Sequence, residues 1–248
     1  MRLRLPGKVE GWRRFAGEIA IVVVGVLIAL GAQQLVEDRA DRVRADSAIV
    51  ALRAEVEQSD FAASEIEITR PCVITQLDAI EKRLMTGDQA LLPLYSDKVF
   101  NTPYVVRAPS RVWPNSVWQS VNTTDVLRRL EPKREGYIGA FYAQLESQRS
   151  GSQSVRAINY ELNALGHMVP AGEAERLRLI TTVERLRGTF GAMDLAAGQL
   201  RDTLAAAGLL ASKAVIEKEL SESGTIAFCR AHRLPLGKVR PAIAANAD

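Results

Sequence analysis

The sequence predicts an all-α protein: one N-terminal transmembrane helix continuing into an antiparallel helical bundle, with an irregular Pro-rich insertion at about residues 88–115. Three observations predict it. Residues 18–36 read EIAIVVVGVLIALGAQQLV, with strongly polar side chains only near the ends. Residues 37–68 hold neither Gly nor Pro and carry charges of both signs at helical spacing, as in Asp38 and Arg42. Residues 179–207 place apolar side chains at alternating steps of four and three.

The apolar stretch sets which solvent each part of the chain sees. Residues 19–32 contain no polar side chain, but as helix they span only about 21 Å, short of a ~30 Å hydrocarbon core. The window 15–36 reaches about 33 Å, and Glu18, Gln33 and Gln34 lie where headgroups and water reach them. The run Ile21, Val22, Val23 and Val24 forms helix poorly in water, but in lipid a lone span must satisfy its own backbone. A buried soluble helix and a cleaved signal peptide compete with this reading. Basic residues precede the run, and Ala29, Leu30, Gly31 and Ala32 resemble a cleavage region. Against cleavage, Glu10 and Glu18 precede the apolar core, which passes directly into a charged helix.

Arg2, Arg4, Lys8, Arg13 and Arg14 precede the span, against Arg39, Arg42, Arg44 and Arg53 over the same distance beyond it. That bias places a cytoplasmic tail at 1–14, the span at 15–36, a periplasmic helical domain at 37–228 and a C-terminal tail at 229–248. The expected location is a bacterial inner membrane, crossed once, with membrane lipids contacting residues 15–36.

The 248 residues leave enough chain beyond the span for one domain with its own core. The net charge is only +3, with 32 basic residues spread among 29 acids, which argues against a nucleic-acid partner. Cys72 and Cys229 can form one bridge within a chain if the domain faces an oxidising compartment; otherwise they are buried thiols.

Taken in order, residues 37–68 read as one long polar helix packed by one edge, with a narrow apolar face of Val43, Ile49, Val50, Leu52 and Val56. Pro71 suits the first turn of a new helix, along which Val73, Leu77, Ile80 and Leu84 step by four, three and four to a stop at Gly87. Residues 88–115 hold Pro93, Pro103, Pro109 and Pro114, and ordered excursions of that length are often functional. Tyr104, Trp113 and Trp118 mark a candidate interaction surface there, although aromatic clusters are more often core. Thr123, Thr124 and Asp125 can cap a short helix through Leu130.

From 133 to 167, Ile138, Phe141, Leu145, Val155, Ile158, Leu162 and Leu165 fit a helix that Ser150, Gly151 and Ser152 bend. Leu179, Val183, Leu186, Phe190, Met193, Ala197, Leu200, Leu204 and Ala207 form the clearest seam in the chain. Gly188, Gly191 and Gly198 each weaken that helix by about 1 kcal/mol against Ala, so packing must hold it. Gly208 ends it, residues 212–220 form a short helix, 221–224 a turn, and the tail from Pro235 reads as disordered.

Several chemistries leave no trace. The sequence has no phosphate-binding Gly-rich loop, C-x-x-C, H-E-x-x-H or G-x-S-x-G, and His167 and His232 read as surface or cap residues. No catalytic, metal or cofactor residue is expected, although a carboxylate-only site would be invisible. Gly25 and Ala29 make a small-xxx-small pair through which another transmembrane helix can approach.

Gly17, Glu18 and Ile19, then Val22 and Val23, then Gly25 to Leu30, followed by a charged helix with Glu37, Arg39 and Arg42, resemble a family of bacterial single-span proteins of unknown function. Its members open with a short basic tail and GEI-x-x-V-V-x-G-[VI]-L-I-A-L. The region from Trp118 through Leu130 to Phe141 and Tyr142 is similar more loosely. The chain departs from the pattern at Gln33, Gln34, Leu35 and Val36, which lack the Trp often found there. The resemblance implies a membrane-tethered helical domain and supplies no activity. The expected function is a binding or scaffold module, or an accessory subunit of a membrane complex, whose partner is another membrane protein or a second copy. The rivals are a ligand sensor using residues 88–115, its ligand unidentified, and a carboxylate hydrolase.

Overall fold

A computed structural model describes residues 12–86, 105–122, 132–166 and 172–241. Six helices are seen among them, and no strand: α1 (Trp12–Thr86), α2 (Ser116–Val121), α3 (Pro132–Glu161), α4 (Glu173–Ala206), α5 (Lys213–Ser221) and α6 (Gly224–Ala231). A 3-10 turn, Leu162–Gly166, follows α3. The all-α class is therefore as predicted. The chain divides into two compact units, Met1–Val50 and Ala51–Asp248.

In the first unit, α1 carries the apolar stretch with its side chains exposed, Ile21 at 75% and Ile28 at 67%. It is the one helix among the described residues long and apolar enough to cross a membrane. Gln33 bonds Glu37 and Arg44 bonds Asp41, short-range pairs along one helix surface.

The second unit is a bundle of the later part of α1 with α3 and α4. Cross-links fix the directions. Arg134 Nε donates to Ala207 O, Thr203 Oγ1 to Gln144, and Gln148 Nε2 to Met193 O. Partner numbers fall along α4 as they rise along α3, so the two run antiparallel. The pairs Asp60–Arg201, Arg70–Asp194 and Glu81–Arg187 show the same for α1 and α4.

The seam of α4 is buried at every position named above, from Leu179 to Ala207. The α3 stripe is buried as well, as are Val73, Leu77, Ile80 and Leu84. Helix α3 runs unbroken through Gly151. A Cβ there would stand 2.6 Å from Met193 Cγ, so the glycine lets α4 approach closely.

Three expectations need correction. First, α1 does not restart at Pro71 but runs through it. A proline inside a helix removes a donor from the ladder. Here Gly237 approaches from outside, and its N–H donates to Ile68 O at 2.8 Å. A Cβ on residue 237 would sit 3.1 Å from Glu67 O and 3.4 Å from Pro71 Cγ, so a side chain there would push the segment off the helix by a few tenths of an ångström. Second, Val43 and Val50 are exposed, while Leu52 and Val56 are buried. Residues 59–67 are buried on all sides rather than along one edge. Third, the C-terminal region is not a loose tail over its described length. Residues 224–231 are helical, and Leu234 and Leu236 pack on Cys72, Phe228 and Cys229. Residues 87, 104, 123–130 and 167 lie outside the described residues, so the stop at Gly87, Tyr104, the cap at Thr123 and His167 do too.

Two helix ends use one motif. At α4, Gly208 N donates to Ala205 O and Leu209 N to Leu204 O, with Gly208 at φ 65°. At α6, Arg233 N donates to Arg230 O and Leu234 N to Cys229 O, with Arg233 at φ 55°. Both are Schellman ends, which want a left-handed residue just past the cap. Arginine adopts that conformation at a cost that glycine avoids.

Candidate functional site

Four acids of α1 are buried: Glu55, Asp60, Glu65 and Glu67. A buried carboxylate is tolerated only when its charge and lone pairs are met. Each of these is met by a different connecting segment.

Glu55 accepts from the backbone N–H of Val117 (2.9 Å) and Trp118 (3.3 Å), at the open end of α2. It also accepts from Tyr142 Oη at 2.6 Å. Burial, then the hydrogen bond to Glu55 and its charge, push the Tyr142 hydroxyl far above its ordinary value. Asp60 takes Arg201 Nε at 2.8 Å and the Ala211 N–H at 2.9 Å, fixing the link between α4 and α5. Glu65 takes Arg111 Nε at 2.7 Å and the Ser223 hydroxyl. Ser223 in turn accepts the Ile226 N–H as the N-cap of α6. Glu67 takes Arg201 Nη1 (3.2 Å) with both the N–H and Nε of Arg240 (3.0 Å each). Arg240 then reaches Asp194, whose carboxyl burial raises against the pull of Arg240 and Arg70.

Asp60 and Glu67 share Arg201, while each of the four acids has its other partners on a different segment. They hold connections in place. Among the described residues no group of three or more His, Cys, Asp or Glu is placed to hold a metal ion.

The predicted aromatic surface resolves differently. Trp113 is 4% exposed, and its Nε1 donates to Ser152 Oγ at 2.9 Å, so it anchors the segment to α3 from inside. Trp118 is half-buried and stacks on Tyr142, ring centroids 4.6 Å apart and planes within 6°. Phe141 meets Tyr142 edge-on. Trp113 therefore presents no face to a partner, and Trp118 presents part of one. Gly25 and Ala29 are exposed, and a Cβ added at Gly25 meets nothing. Cys72 and Cys229 are joined by a disulfide, their Cα atoms 6.0 Å apart and both side chains fully buried. His232 caps the C-terminus of α6 beside Phe228.

Two clefts lie on either side of Arg111. One, of about 310 Å³, is floored by Phe61 and rimmed by Glu57, Val112, Val215 and Glu219. Arg111 lies over the Phe61 ring at 4.5 Å. The other, of about 230 Å³, lies between residues 107–111 and the start of α6. Sequence reasoning pointed to that segment through its prolines, but it named aromatics where the structure places two arginines on the clefts.

Comparison with family models, with curated proteins and with solved structures returns no match.

Proposed function

We propose that this chain is a single-span, membrane-tethered protein whose helical bundle acts outside the cytoplasm as a binding or scaffold module, or as an accessory subunit of a membrane complex. The observation that carries the reading is the exposed apolar stretch of α1, where Ile21, Leu27 and Ile28 are 75%, 62% and 67% exposed. Water penalises such a surface and lipid does not. A disulfide persists in an oxidising compartment, which supports an extracytoplasmic bundle with the basic tail inside. The likeness of residues 17–30 to a bacterial single-span family agrees with it. The buried acids, each committed to a loop or cap, speak for a rigid binding body rather than a carboxylate hydrolase. Gly25 and Ala29 offer a close approach to another transmembrane helix. Purification in mild detergent is the test: a copurifying membrane protein or a stable oligomer supports the reading, and monomer alone contradicts it.

A sensor is the second reading, favoured by the two clefts that lie against residues 107–112. A ligand-dependent rise in melting temperature supports it.

A further inference from the structure

We propose that the cleft between residues 107–111 and the start of α6 is a binding site for a small oxyanion, a carboxylate or phosphate group held by Arg107. The site stands independently of the membrane tether and gives the sensor reading its ligand class.

The segment that carries Arg107 is held at two points. Gln76 of α1 accepts the Arg107 N–H at 2.8 Å and donates to its carbonyl at 3.0 Å. Asn159 of α3 does the same for Val106, at 3.3 and 2.7 Å. The backbone is therefore fixed, and the side chain is delivered to one place. Arg107 is half-buried there, and its Nη2 lies 3.1 Å from where a Cβ on Gly224 would stand. Gly224 leaves room for the Arg107 tip at the first residue of α6.

Charge is unevenly matched in this cleft. Arg111 is answered by Glu65, which is also bonded to Ser223, so that pair is closed. Arg107 has no ion pair among the described residues and its buried Nε has no acceptor there, so Nη2, beside Gly224, is the donor it offers to the cleft. Buried donors are nearly always met, and a partly desolvated cation normally has an anion beside it. The guanidinium fork matches a carboxylate or phosphate.

The first turn of α6 supplies the other half. Ser223 takes the Ile226 N–H, whereas the N–H groups of Gly224 and Thr225 have no acceptor within their own helix. Both residues line the cleft, and a helix N-terminus favours negative charge. Glu65 also lines the cleft but is engaged by Arg111 and Ser223, which leaves Glu222, exposed at the rim, as the molecule's own competing anion. Its charge lowers affinity and disfavours a ligand with a second negative charge.

The test uses the full chain in detergent, titrated with sodium phosphate or sodium acetate at constant ionic strength. Calorimetry and the tryptophan melting curve are the readouts. A site of a few charge-assisted hydrogen bonds binds in the range of about 1 mM. Phosphate, acetate or both raise the melting temperature of the natural protein; which one succeeds separates a phosphoryl ligand from a carboxylate. Arg107→Met abolishes the response. Arg107→Lys, which keeps the charge and loses the fork, weakens it about tenfold and covers the case in which Met fails to fold. Glu222→Gln tightens binding several-fold. No response to either anion up to about 50 mM, or equal responses from the natural protein and Arg107→Met or Arg107→Lys, overturns the proposal.

Discussion

Residues 19–32 and residues 59–67 belong to one helix and invert the usual rule of what is covered. The first stretch has no polar side chain and is exposed; the second carries Asp60, Glu65 and Glu67 and is buried on every side. Each inversion has its own resolution. The apolar stretch needs a solvent other than water, and a bilayer supplies one. The acidic stretch needs partners for every charge, and Arg201, Arg111, Arg240, Ala211 and Ser223 supply them. The lesson is that burial follows what a group is offered in place of water, not its polarity alone.

The largest expected effect breaks the second half of that comparison. Arg201→Met leaves Glu67 with Arg240 and Asp60 with one backbone N–H, both buried. The expected loss is about 3–5 kcal/mol, read by denaturant unfolding of the full chain in detergent. Adding Asp60→Leu to Arg201→Met recovers part of that loss, because an apolar pair needs no counter-charge. Phe190→Ala, from the apolar seam of α4, costs a similar amount by a different route, the cavity it leaves, and no second polar substitution rescues it.

Replacing both Cys72 and Cys229 by Ala ranks next, at about 2–5 kcal/mol, since the bridge closes a loop across a sequence separation of 157. The C-terminal segment loosens with it, measurable as faster amide exchange at Gly237.

Tyr142→Phe removes one of the donors to Glu55 and costs about 1–3 kcal/mol. The same hydroxyl carries a pH prediction. Its folded pKa is raised above the unfolded value of about 10, so its contribution is fully present below pH 10 and is lost as pH rises further. In an alkaline absorbance titration, one tyrosine of the natural protein ionises only as the bundle unfolds. Its absence from Tyr142→Phe identifies it.

The smallest effect runs the other way. Arg233→Gly at the left-handed end of α6 stabilises by about 0.5–1 kcal/mol, whereas Gly208→Ala at the matching end of α4 destabilises by a comparable amount.

The apolar elements were legible because their signal is local. The α4 seam needs only its own spacing to show which face is covered, and so do Val73, Leu77, Ile80 and Leu84. The acids were not legible, because their partners lie far along the chain. Glu65 meets Arg111, 46 residues away, and Glu67 meets Arg240, 173 residues away. A glutamate in a charged helix reads as a solvated face until those partners are in place. Pro71 misled for the same reason: Gly237, which packs against its ring and donates to Ile68 O, next to the carbonyl Pro71 leaves unmet, lies far along the chain. Helix α6 is short, starts with Gly224, Thr225 and Ile226, and depends on a cap bonded to Glu65. Its own eight residues offer one short apolar face, Ile226, Phe228 and Cys229, too brief to stand out in the sequence.

Membrane partition of the full-length protein tests the central claim most directly. Cell membranes are washed with alkaline carbonate and sedimented without detergent. An integral span predicts that the chain stays in the pellet and that Ile28→Arg, at the middle of the apolar stretch, releases a substantial share. Full-length protein in the supernatant after that wash would contradict the account.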